Sequence, residues 1–220
     1  MVRKPIRYGR ERFTMTLDDP IIEKEMGKGF YEPWLLDAIK QYCSGGVWID
    51  GGANFGNHTV FFDRMCYNTQ IIAFEPDKDN FELLKHNIQD NKCKKTIAYQ
   101  AGLGRTKSKA NIIKGKRNSQ HVLETSKNGT VDIVSIDGME LENVRVIKLD
   151  VEGFEMEALH GAVKTIERDK PDLFIEIWTD LQPFKDLLEP FGYELKNRYC
   201  HAPVYHFSTK DIPVQYKEPQ

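Results

Sequence analysis

The spacing of apolar and polar residues changes along this chain, and the changes predict an order of strands and helices. Short runs rich in β-branched and aromatic residues predict buried strands, at residues 47–50, 70–75, 96–101, 131–136, 144–151 and 173–178. Apolar residues at helical spacing predict helices between several of these runs, at residues 59–65, 78–87, 155–167 and 181–191. Strands that alternate with helices are typical of βαβ units. We therefore predict an α/β fold with a mostly parallel sheet and helices on both of its faces.

The N-terminal part of the chain shows much less periodicity. Residues 1–30 are largely polar and charged, and we predict a loosely packed lead-in segment there. A short helix is expected from Tyr31, because Pro33 suits a first helical turn and the Ser-Gly-Gly at 44–46 suits a C-terminal stop. No repeat or linker divides the remainder, so residues 31–220 are predicted to form a single domain.

Two further segments break the alternation of strands and helices. Between residues 103 and 136 the pattern predicts short extended stretches, at 110–113 and 120–123, with polar turns and no amphipathic helix. Near the end of the chain, residues 193–198 and 203–207 are extended candidates. We predict that these last two close the sheet as an antiparallel hairpin.

Composition and charge limit the classes of function. Of 220 residues, 40% are hydrophobic and 29% charged, which is typical of a folded globular protein. Lys and Arg number 31 against 33 Asp and Glu, whereas a dedicated nucleic-acid binder usually has a basic excess. A nucleic-acid partner is therefore not expected, and the locally basic segment 105–117 is interpreted as a solvated surface hairpin.

The sequence predicts neither a membrane span nor a secretory signal. No apolar run approaches the ~20 residues that a spanning helix needs. The basic residues near the N-terminus are not followed by an apolar core. The four cysteines form no CxxC pair, which indicates reduced thiols and a cytoplasmic protein. They are Cys43, Cys66, Cys93 and Cys200.

A glycine-rich loop follows the first predicted strand, in the stretch VWIDGGANFGNHTVFF at residues 47–62. Gly51, Gly52 and Gly56 let the backbone turn tightly, and a helix N-terminus with free N–H groups follows them. In an open parallel sheet this is where a ligand binds. The spacing D-G-G-x-x-x-G differs from the G-x-G-x-x-G of dinucleotide sites, which disfavours a nicotinamide or flavin enzyme.

An acidic residue ends the second predicted strand. Glu75 lies roughly 20 residues past the glycine loop, where a carboxylate holds the hydroxyls of a ribose in related nucleotide sites. Asp77, two residues later, is interpreted as the cap of the next helix. The loop and the acid together predict a cofactor that contains a nucleoside.

The motifs IDGGANFGNHT, AFEPD, VIKLDVEGFEMEALHGA and LFIEIW resemble those of the FkbM-type methyltransferases, which use S-adenosylmethionine (SAM). The resemblance extends from about Tyr31 to Trp178, and residues 148–161 are its most specific part. It implies the class I methyltransferase fold, a doubly wound, mostly parallel seven-stranded sheet with a C-terminal antiparallel hairpin.

The resemblance also implies positions for the cofactor. Those expected to border the methionine part of SAM are Asp50, Gly52, Asn54 and Gly56. Glu75 would hold the ribose, and Ala101 and Gly102 would border the adenine. Asn54 and Asn57 would meet the amino-acid end of SAM, or either would instead cap the helix that follows.

Acidic residues at the ends of two later strands are the candidates for catalysis. Lys148, Asp150 and Glu152 share one face of a strand end, and Glu176 recurs inside the next apolar strand. Buried charges there are costly unless they are paired or functional, so a structural ion pair with Lys148 is the alternative. Asp150 and Glu152 are the candidate proton acceptors, with Glu176 orienting a partner or the acceptor, and Asp150 is also expected near the sulfonium.

Weaker predictions concern three histidines, two glutamates and a metal ion. His121, in the irregular middle section, is a secondary candidate base, and His201 and His206 are candidates for the edge of an acceptor cleft. Glu155 and Glu157 are interpreted as a solvated helix face. A divalent ion at Asp150 and Glu176 is chemically reasonable, because Mg²⁺ prefers oxygen ligands, but the sequence leaves metal use undecided.

These residues predict an O-methyltransferase that acts on a hydroxyl of a small molecule, sugar or glycan. Aromatic residues that would stack on a sugar are Trp34, Trp178, Tyr199 and Tyr205. Two alternatives stay open, methylation of an RNA ribose with the help of Lys148 and a nucleoside-binding module without catalysis. Acids retained inside an apolar strand disfavour the second alternative, because a site without catalysis does not need them.

Overall fold

A computed structural model describes residues 1–115, 121–199 and 203–213 of the chain. The strands are β1 (Val2–Tyr8), β2 (Glu11–Leu17), β3 (Val47–Gly51), β4 (Gln70–Phe74), β5 (Thr96–Tyr99), β6 (Gly102–Leu103), β7 (Ser108–Ile113), β8 (Val122–Thr125), β9 (Val131–Val134), β10 (Val144–Leu149), β11 (Asp172–Glu176), β12 (Glu194–Tyr199) and β13 (Val204–Ser208). The helices are α1 (Pro20–Met26), α2 (Pro33–Tyr42), α3 (Asn57–Met65), α4 (Lys78–Asp90), α5 (Glu155–His160), α6 (Val163–Asp169) and α7 (Gln182–Leu188).

The main sheet has seven strands in the order β12-β13-β11-β10-β3-β4-β5. The strands from β11 to β5 are parallel, whereas β13 runs antiparallel to both β11 and β12. The predicted doubly wound sheet and its C-terminal hairpin are therefore confirmed. The strand order reverses between β3 and β10, and such a reversal opens a crevice at the carboxyl ends of the two strands.

The central strands are apolar on both sides because helices cover both faces of the sheet. Alternate residues belong to opposite layers, as a period of two requires. Trp48 and Val146 pack with residues of α2 and α3 in one core cluster. Ile49 and Ile147 pack with residues of α5, α6 and α7 in the other. Two hydrophobic layers therefore hold the ends of β3 and β10 in fixed positions beside the crevice.

The predicted helix at 155–167 is divided into α5 and α6. Gly161 ends α5, and a Cβ atom at this position would lie 2.1 Å from the carbonyl oxygen of Gly104. The chain passes so close to a neighbouring segment there that a continuous helix with side chains does not fit. The predicted helix at 181–191 likewise ends early, as α7 and a 3₁₀ turn over Glu189–Phe191.

The middle of the chain forms a second sheet, in the order β6-β9-β7-β8. The predicted strand at 131–136 belongs to this sheet, as β9, and not to the main one. The basic segment forms part of the antiparallel β7–β8 pair, and Lys109 and Lys114 make exposed ion pairs with Asp132 and Asp79. The predicted surface hairpin is thus confirmed for its described residues, and 116–120 lie outside them.

The prediction of a loosely packed N-terminal segment was wrong. β1 and β2 pair as an antiparallel hairpin, and α1 follows it. Phe13, Met15 and Leu17 alternate along β2 and are at most 3% exposed, because they pack into the same core cluster as α2 and α3. The alternation lies on one strand only and is diluted by the charges of β1, so the sequence pattern did not show it.

A buried amide joins this hairpin to the glycine loop. Asn87 of α4 is fully buried, and its side chain accepts a hydrogen bond from the Thr16 N–H and donates to the carbonyls of Thr16 and Phe55, each at 2.7 Å. One side chain therefore satisfies backbone groups from two segments that lie far apart in sequence.

Replacing Asn87 with Ala is expected to lower the free energy of unfolding by about 1–3 kcal/mol, because three buried backbone groups lose their partner. Urea unfolding followed by circular dichroism measures the change. Gln89→Ala, at an exposed position of the same helix, is the matched control and should change little. Equal unfolding midpoints for the two variants would contradict the assigned role of Asn87.

Two remaining predictions concern thiols and membrane spans. Cys43, Cys66 and Cys93 are free thiols, and Cys200 lies outside the described residues. Within the described part of the chain, no helix combines the length and the apolar character that crossing a membrane requires.

Candidate active site

A cavity of about 550 Å³ opens at the crevice between β3 and β10. This volume lies within the range of small-molecule sites. The carboxyl ends of β3, β4, β10 and β11 contribute to it, together with β6, β8 and the N-terminal segment. The predicted site residues that line it are Gly52, Asn54, Asn57, Glu75, Ala101, Gly102, His121, Lys148, Asp150, Glu152 and Glu176.

Two predicted cofactor residues, Asp50 and Gly56, do not line the cavity but support the loop behind it. Asp50 is fully buried, and its carboxylate accepts a 2.5 Å hydrogen bond from the Thr59 hydroxyl. Gly56 has a φ of 91°, and a Cβ there would lie 2.7 Å from a methyl carbon of Leu84. Gly56 therefore allows the loop to pack closely on α4.

Lys148 is a buried cation that joins the two central strands. Its Nζ lies 3.2 Å from a carboxylate oxygen of Asp50 and 3.5 Å from one of Asp150. It also donates to the carbonyls of Gly51 and Gly52, at 3.4 and 3.1 Å. Burial lowers the pKa of Lys148, but the neighbouring carboxylates outweigh this effect and raise it. The side chain therefore stays charged and cannot serve as a base.

The backbone conformation of the glycine loop restricts the residue types that fit there. Gly52 has a φ of 73°, and a Cβ there would lie 1.7 Å from the carbonyl oxygen of Asp150, so only glycine fits. Asn54 has a φ of 51°, a left-handed conformation that is uncommon without glycine. The side chain of Asn57 exchanges two hydrogen bonds with the backbone of Tyr31, at 2.9 and 3.0 Å. Asn57 thus fixes the N-terminal segment against the loop.

Glu75 lies at the other end of the loop and is 5% exposed. Its two carboxylate oxygens accept from the N–H groups of Asn54 and Asp77, each at 2.8 Å. Burial raises the pKa of Glu75 to about 7, although these two hydrogen bonds act in the opposite direction. Each oxygen keeps a further lone pair, so the group retains the capacity to accept from a ligand.

Asp150 and Glu176 form a hydrogen bond at the opposite end of the cavity. Burial, the charge of Asp150 and a hydrogen bond with Asp150 raise the pKa of Glu176 well above its usual value. Glu176 is therefore protonated at neutral pH and donates a hydrogen bond to Asp150. Glu152, next along the loop, has a φ of 52°, and strained backbone of this kind is common in active sites.

Glu155 is a residue whose role the sequence reasoning missed. It is 7% exposed, so its assignment to a solvated helix face was wrong, whereas the side chain of Glu157 is about half exposed and pairs with Arg105. The carboxylate of Glu155 accepts from the N–H groups of Val151 and Gly153, at 3.0 to 3.2 Å. Glu155 therefore holds in place the loop that carries Asp150 and Glu152.

The histidine candidates lie in three different surroundings. His121 lines the cavity, with its Nδ1 3.3 Å from Asp77, whose other oxygen caps α4 as predicted. His206 is fully buried and lies 3.0 Å from Asp172, so it does not reach an acceptor cleft. His201 lies outside the described residues.

A wall from the N-terminal segment completes the cavity, and the sequence reasoning did not anticipate it. Ile21 and Glu25 of α1 line the cavity together with Tyr31 and Glu32. His58, from the first turn of α3, lies with its Nε2 3.3 Å from a carboxylate oxygen of Glu32. In the sequence, its position directly after the glycine loop was the one indication that His58 belongs to the site. The N-terminal residues carried no such signal, since the hairpin that positions them was not predicted.

No group of three or more His, Cys, Asp or Glu side chains is arranged to hold a metal ion within the described ranges of the chain. Asp150 and Glu176, the pair considered for Mg²⁺, are joined by a hydrogen bond, and the ammonium of Lys148 lies 3.5 Å from Asp150. An adjacent ammonium disfavours a divalent cation at Asp150.

Comparisons with known sequences find one family and two relatives. The sequence model described as the methyltransferase FkbM domain matches residues 50–195, about two thirds of the chain. The hexuronic acid methyltransferase AglP of Haloferax volcanii is 27% identical over 124 residues, which cover 54% of this chain and 50% of that protein. Methyltransferase 1 of Beauveria bassiana is 25% identical over 141 residues, which cover 51% of this chain and 57% of that protein. The chain thus spans about half the length of the curated relatives it matches.

Solved structures support the fold. A methyltransferase FkbM from Methylobacillus flagellatus has a TM-score of 0.56 and 21% identity, over 75% of this chain and 43% of that one. TrmK of M. capricolum, solved with S-adenosylhomocysteine (SAH), has a TM-score of 0.52 and 8% identity, over 84% of this chain and 72% of that one. Likeness at such low identity concerns the fold alone.

Proposed function

The chain belongs to the FkbM methyltransferase family, and from this premise we propose that it is a SAM-dependent O-methyltransferase whose acceptor is a hydroxyl of a sugar or glycan. One observation carries the proposal. A single cavity has a buried carboxylate, Glu75, beside the glycine loop at one end and a second carboxylate, Asp150, paired with Lys148, at the other. This arrangement supports cofactor binding at one end of the site and proton acceptance at the other.

The residues of the cavity fit SAM chemically. Glu75 can accept the two ribose hydroxyls through its remaining lone pairs. Ala101 and Gly102 form a small-residue wall near it, which leaves room for a flat base. The backbone of the loop from Gly52 to Asn54 is held open by Lys148 and Glu75. These features support SAM as the cofactor, with the nucleoside beside Glu75.

The proposed chemistry needs little from the protein beyond position and a proton acceptor. When bound, SAM supplies an electrophilic methyl group on a sulfonium, and the electrons of the broken carbon–sulfur bond remain on sulfur. The carboxylate of Asp150 accepts the proton that the acceptor hydroxyl loses as its oxygen bonds to the methyl carbon. The hydrogen bond from Glu176 orients Asp150, and the ammonium of Lys148 lies 3.5 Å from the carboxylate of Asp150.

Methyl-labelled SAM with a panel of free sugars, nucleotide sugars, short glycans and RNA tests the proposal, with and without EDTA. We expect label in a sugar product and no label when Glu75 is replaced with Ala. Label in RNA alone would show that the acceptor is RNA and not a sugar or glycan. Binding of SAH without transfer to any acceptor would support a module without catalysis, and failure to bind SAH would contradict the proposed cofactor site.

The affinity for SAH is expected to fall as the pH drops below about 7, because burial raises the pKa of Glu75 to about 7. The carboxylate must be ionised to accept from both ribose hydroxyls, so below this pH binding requires the loss of a proton. The affinity should fall by up to about tenfold per pH unit. Isothermal titration calorimetry between pH 8 and 5.5 measures it.

Two variants identify the titrating group in that experiment. Glu75→Gln should bind SAH weakly with an affinity that does not depend on pH. His121→Asn should retain the pH dependence, which excludes the imidazole in the same cavity as its source. An affinity of the unmodified protein that stays constant over the whole range would contradict the assignment of Glu75 to the ribose.

A further inference from the structure

The part of the cavity opposite Glu75 is rich in carboxyl groups. We call it the acceptor end and define it by Glu25 and Glu32 from the N-terminal wall and by Asp150, Glu152 and Glu176 from the strand ends. Its electrostatics bear on the chemical class of the acceptor, and the inference below rests on the methyltransferase function proposed above.

Tyr31 reports how closely these carboxyl groups are gathered. Burial raises the pKa of its phenol, and the nearby carboxyl groups of Glu32, Glu25, Asp150 and Glu176 raise it further. Groups on α1, on the following turn and on the ends of two strands therefore act on one side chain. The acceptor end is thus a single acidic surface and not a set of separate surface charges.

The lysine in the lining does not balance this surface. Lys148 is 2% exposed, and its ammonium is engaged by Asp50, Asp150 and the loop carbonyls. The pair of Lys148 with the buried Asp50 is neutral by itself. The sulfonium of the cofactor would add one positive charge, against the two carboxyl groups of Glu25 and Glu32 in the N-terminal wall.

Two side chains at this end independently favour a polar ligand. The side chain of His58 is 7% exposed, and its Nε2 makes no hydrogen bond of good geometry, although a Glu32 oxygen lies 3.3 Å away. His58 belongs to the lining of the cavity, so a buried imidazole nitrogen with incomplete hydrogen bonding lies directly behind the cavity wall. Trp178 is 71% exposed at the rim and hydrogen-bonds to Glu176. An exposed indole binds the face of a sugar or a cation.

We propose that the acceptor carries an ammonium group near the hydroxyl that is methylated, as an amino sugar does, and that the carboxylates of the N-terminal wall select it. The ammonium binds against Glu25 and Glu32, while the hydroxyl faces Asp150. A uronic acid or a phosphate meets like charge at the same place and is rejected. This specificity comes from residues 20–32, which precede the part of the chain that matches the family.

Rates of methyl transfer to matched acceptors test the proposal. Methyl glucoside, its 2-amino-2-deoxy analogue and methyl glucuronoside differ mainly in charge, and methyl galactoside with its amino and uronic analogues forms a second series. We expect kcat/KM to be about tenfold or more higher for the amine than for the uronate. Mass spectrometry of the product must locate the methyl group on oxygen. Glu25→Gln should reduce the preference, whereas Glu23→Gln, on the same helix but outside the lining, should not.

A second measurement does not depend on which acceptor is chosen. Ile21 lines the cavity and is 46% exposed, so Ile21→Cys places a thiol at the acceptor end. Two methanethiosulfonate reagents, one with a trimethylammonium group and one with a sulfonate group, react with this thiol, and peptide mass spectrometry measures the two rates. The free thiol 2-mercaptoethanol, treated with the same two reagents, gives the reference rates. The ratio of cationic to anionic rates should exceed that of the free thiol about tenfold or more, and Glu25→Gln should reduce it.

The outcomes separate the two proposals. A uronate methylated as fast as the amine, or a thiol at residue 21 without a preference for the cationic reagent, would overturn the inference. If no acceptor in the panel is labelled, the thiol ratio decides alone. Failure to bind SAH would instead contradict the proposed function, and it leaves the thiol ratio readable.

Discussion

Replacing Asp150 with Asn is expected to reduce methyl transfer by about 100- to 10,000-fold, the usual contribution of a general base. The amide has the same shape but cannot accept the hydroxyl proton. Lys148 keeps Asp50 as its buried partner and keeps its bonds to the loop carbonyls, so the cofactor end of the cavity should retain its structure. The affinity for SAH should therefore be nearly unchanged.

Single-turnover assays with labelled SAM and the acceptor identified by labelling measure this effect, and calorimetry with SAH measures binding. Glu157→Gln is the control. This substitution removes one carboxylate from the following helix, at a residue that does not line the cavity. If Asp150→Asn abolishes SAH binding together with transfer, Asp150 serves the cofactor and the proton acceptor lies elsewhere. Glu152, on the same loop, is then the next candidate.

Replacing Lys148 with Met is expected to lower the free energy of unfolding by about 3–5 kcal/mol, the usual result of leaving a buried charge without its partner. Asp50 is fully buried, and Lys148 provides the charge that compensates it. The carbonyls of Gly51 and Gly52 also lose a donor, so the glycine loop should lose its shape and SAH binding should disappear.

Urea unfolding measures the stability of this variant. Lys85→Met, at a half-exposed position on α4, is the control and should change the free energy by less than about 0.5 kcal/mol. The double variant Asp50→Asn with Lys148→Met should be more stable than the sum of the single changes predicts, because it removes both charges. Additive losses would show that the two groups do not depend on each other.

Much of the site could be predicted because it lies where strands end. Glu75, Lys148, Asp150 and Glu176 each follow or interrupt an apolar run, and the carboxyl ends of parallel strands meet at one edge of a sheet. The glycine loop was readable for the same reason, since it separates a strand from a helix. These signals are local in sequence, and the period of the pattern specifies the geometry.

The parts that could not be predicted depend on distant partners. Asn87 looks like any polar helix residue until Thr16, 71 positions earlier, is placed beside it. Glu155 fits the exposed face of a helix by spacing, but its carboxylate turns back to the loop that precedes that helix. The N-terminal wall could not be predicted, because its position depends on the packing of β2 on α4. Neither segment indicates this packing by itself.

The order of synthesis on the ribosome separates the two halves of the cavity in time. β3 and β4 emerge early and can pair at once, but the ammonium of Lys148 that binds the Gly52 carbonyl is made 96 residues later. At about 5–20 residues per second, this interval lasts about 5–20 s. Until β10 is inserted beside β3, Asp50 has no counter-ion and remains in water. A nascent chain that stops before β10 therefore has the glycine loop but no cofactor pocket, and the two hydrophobic layers can close only around a strand that arrives late.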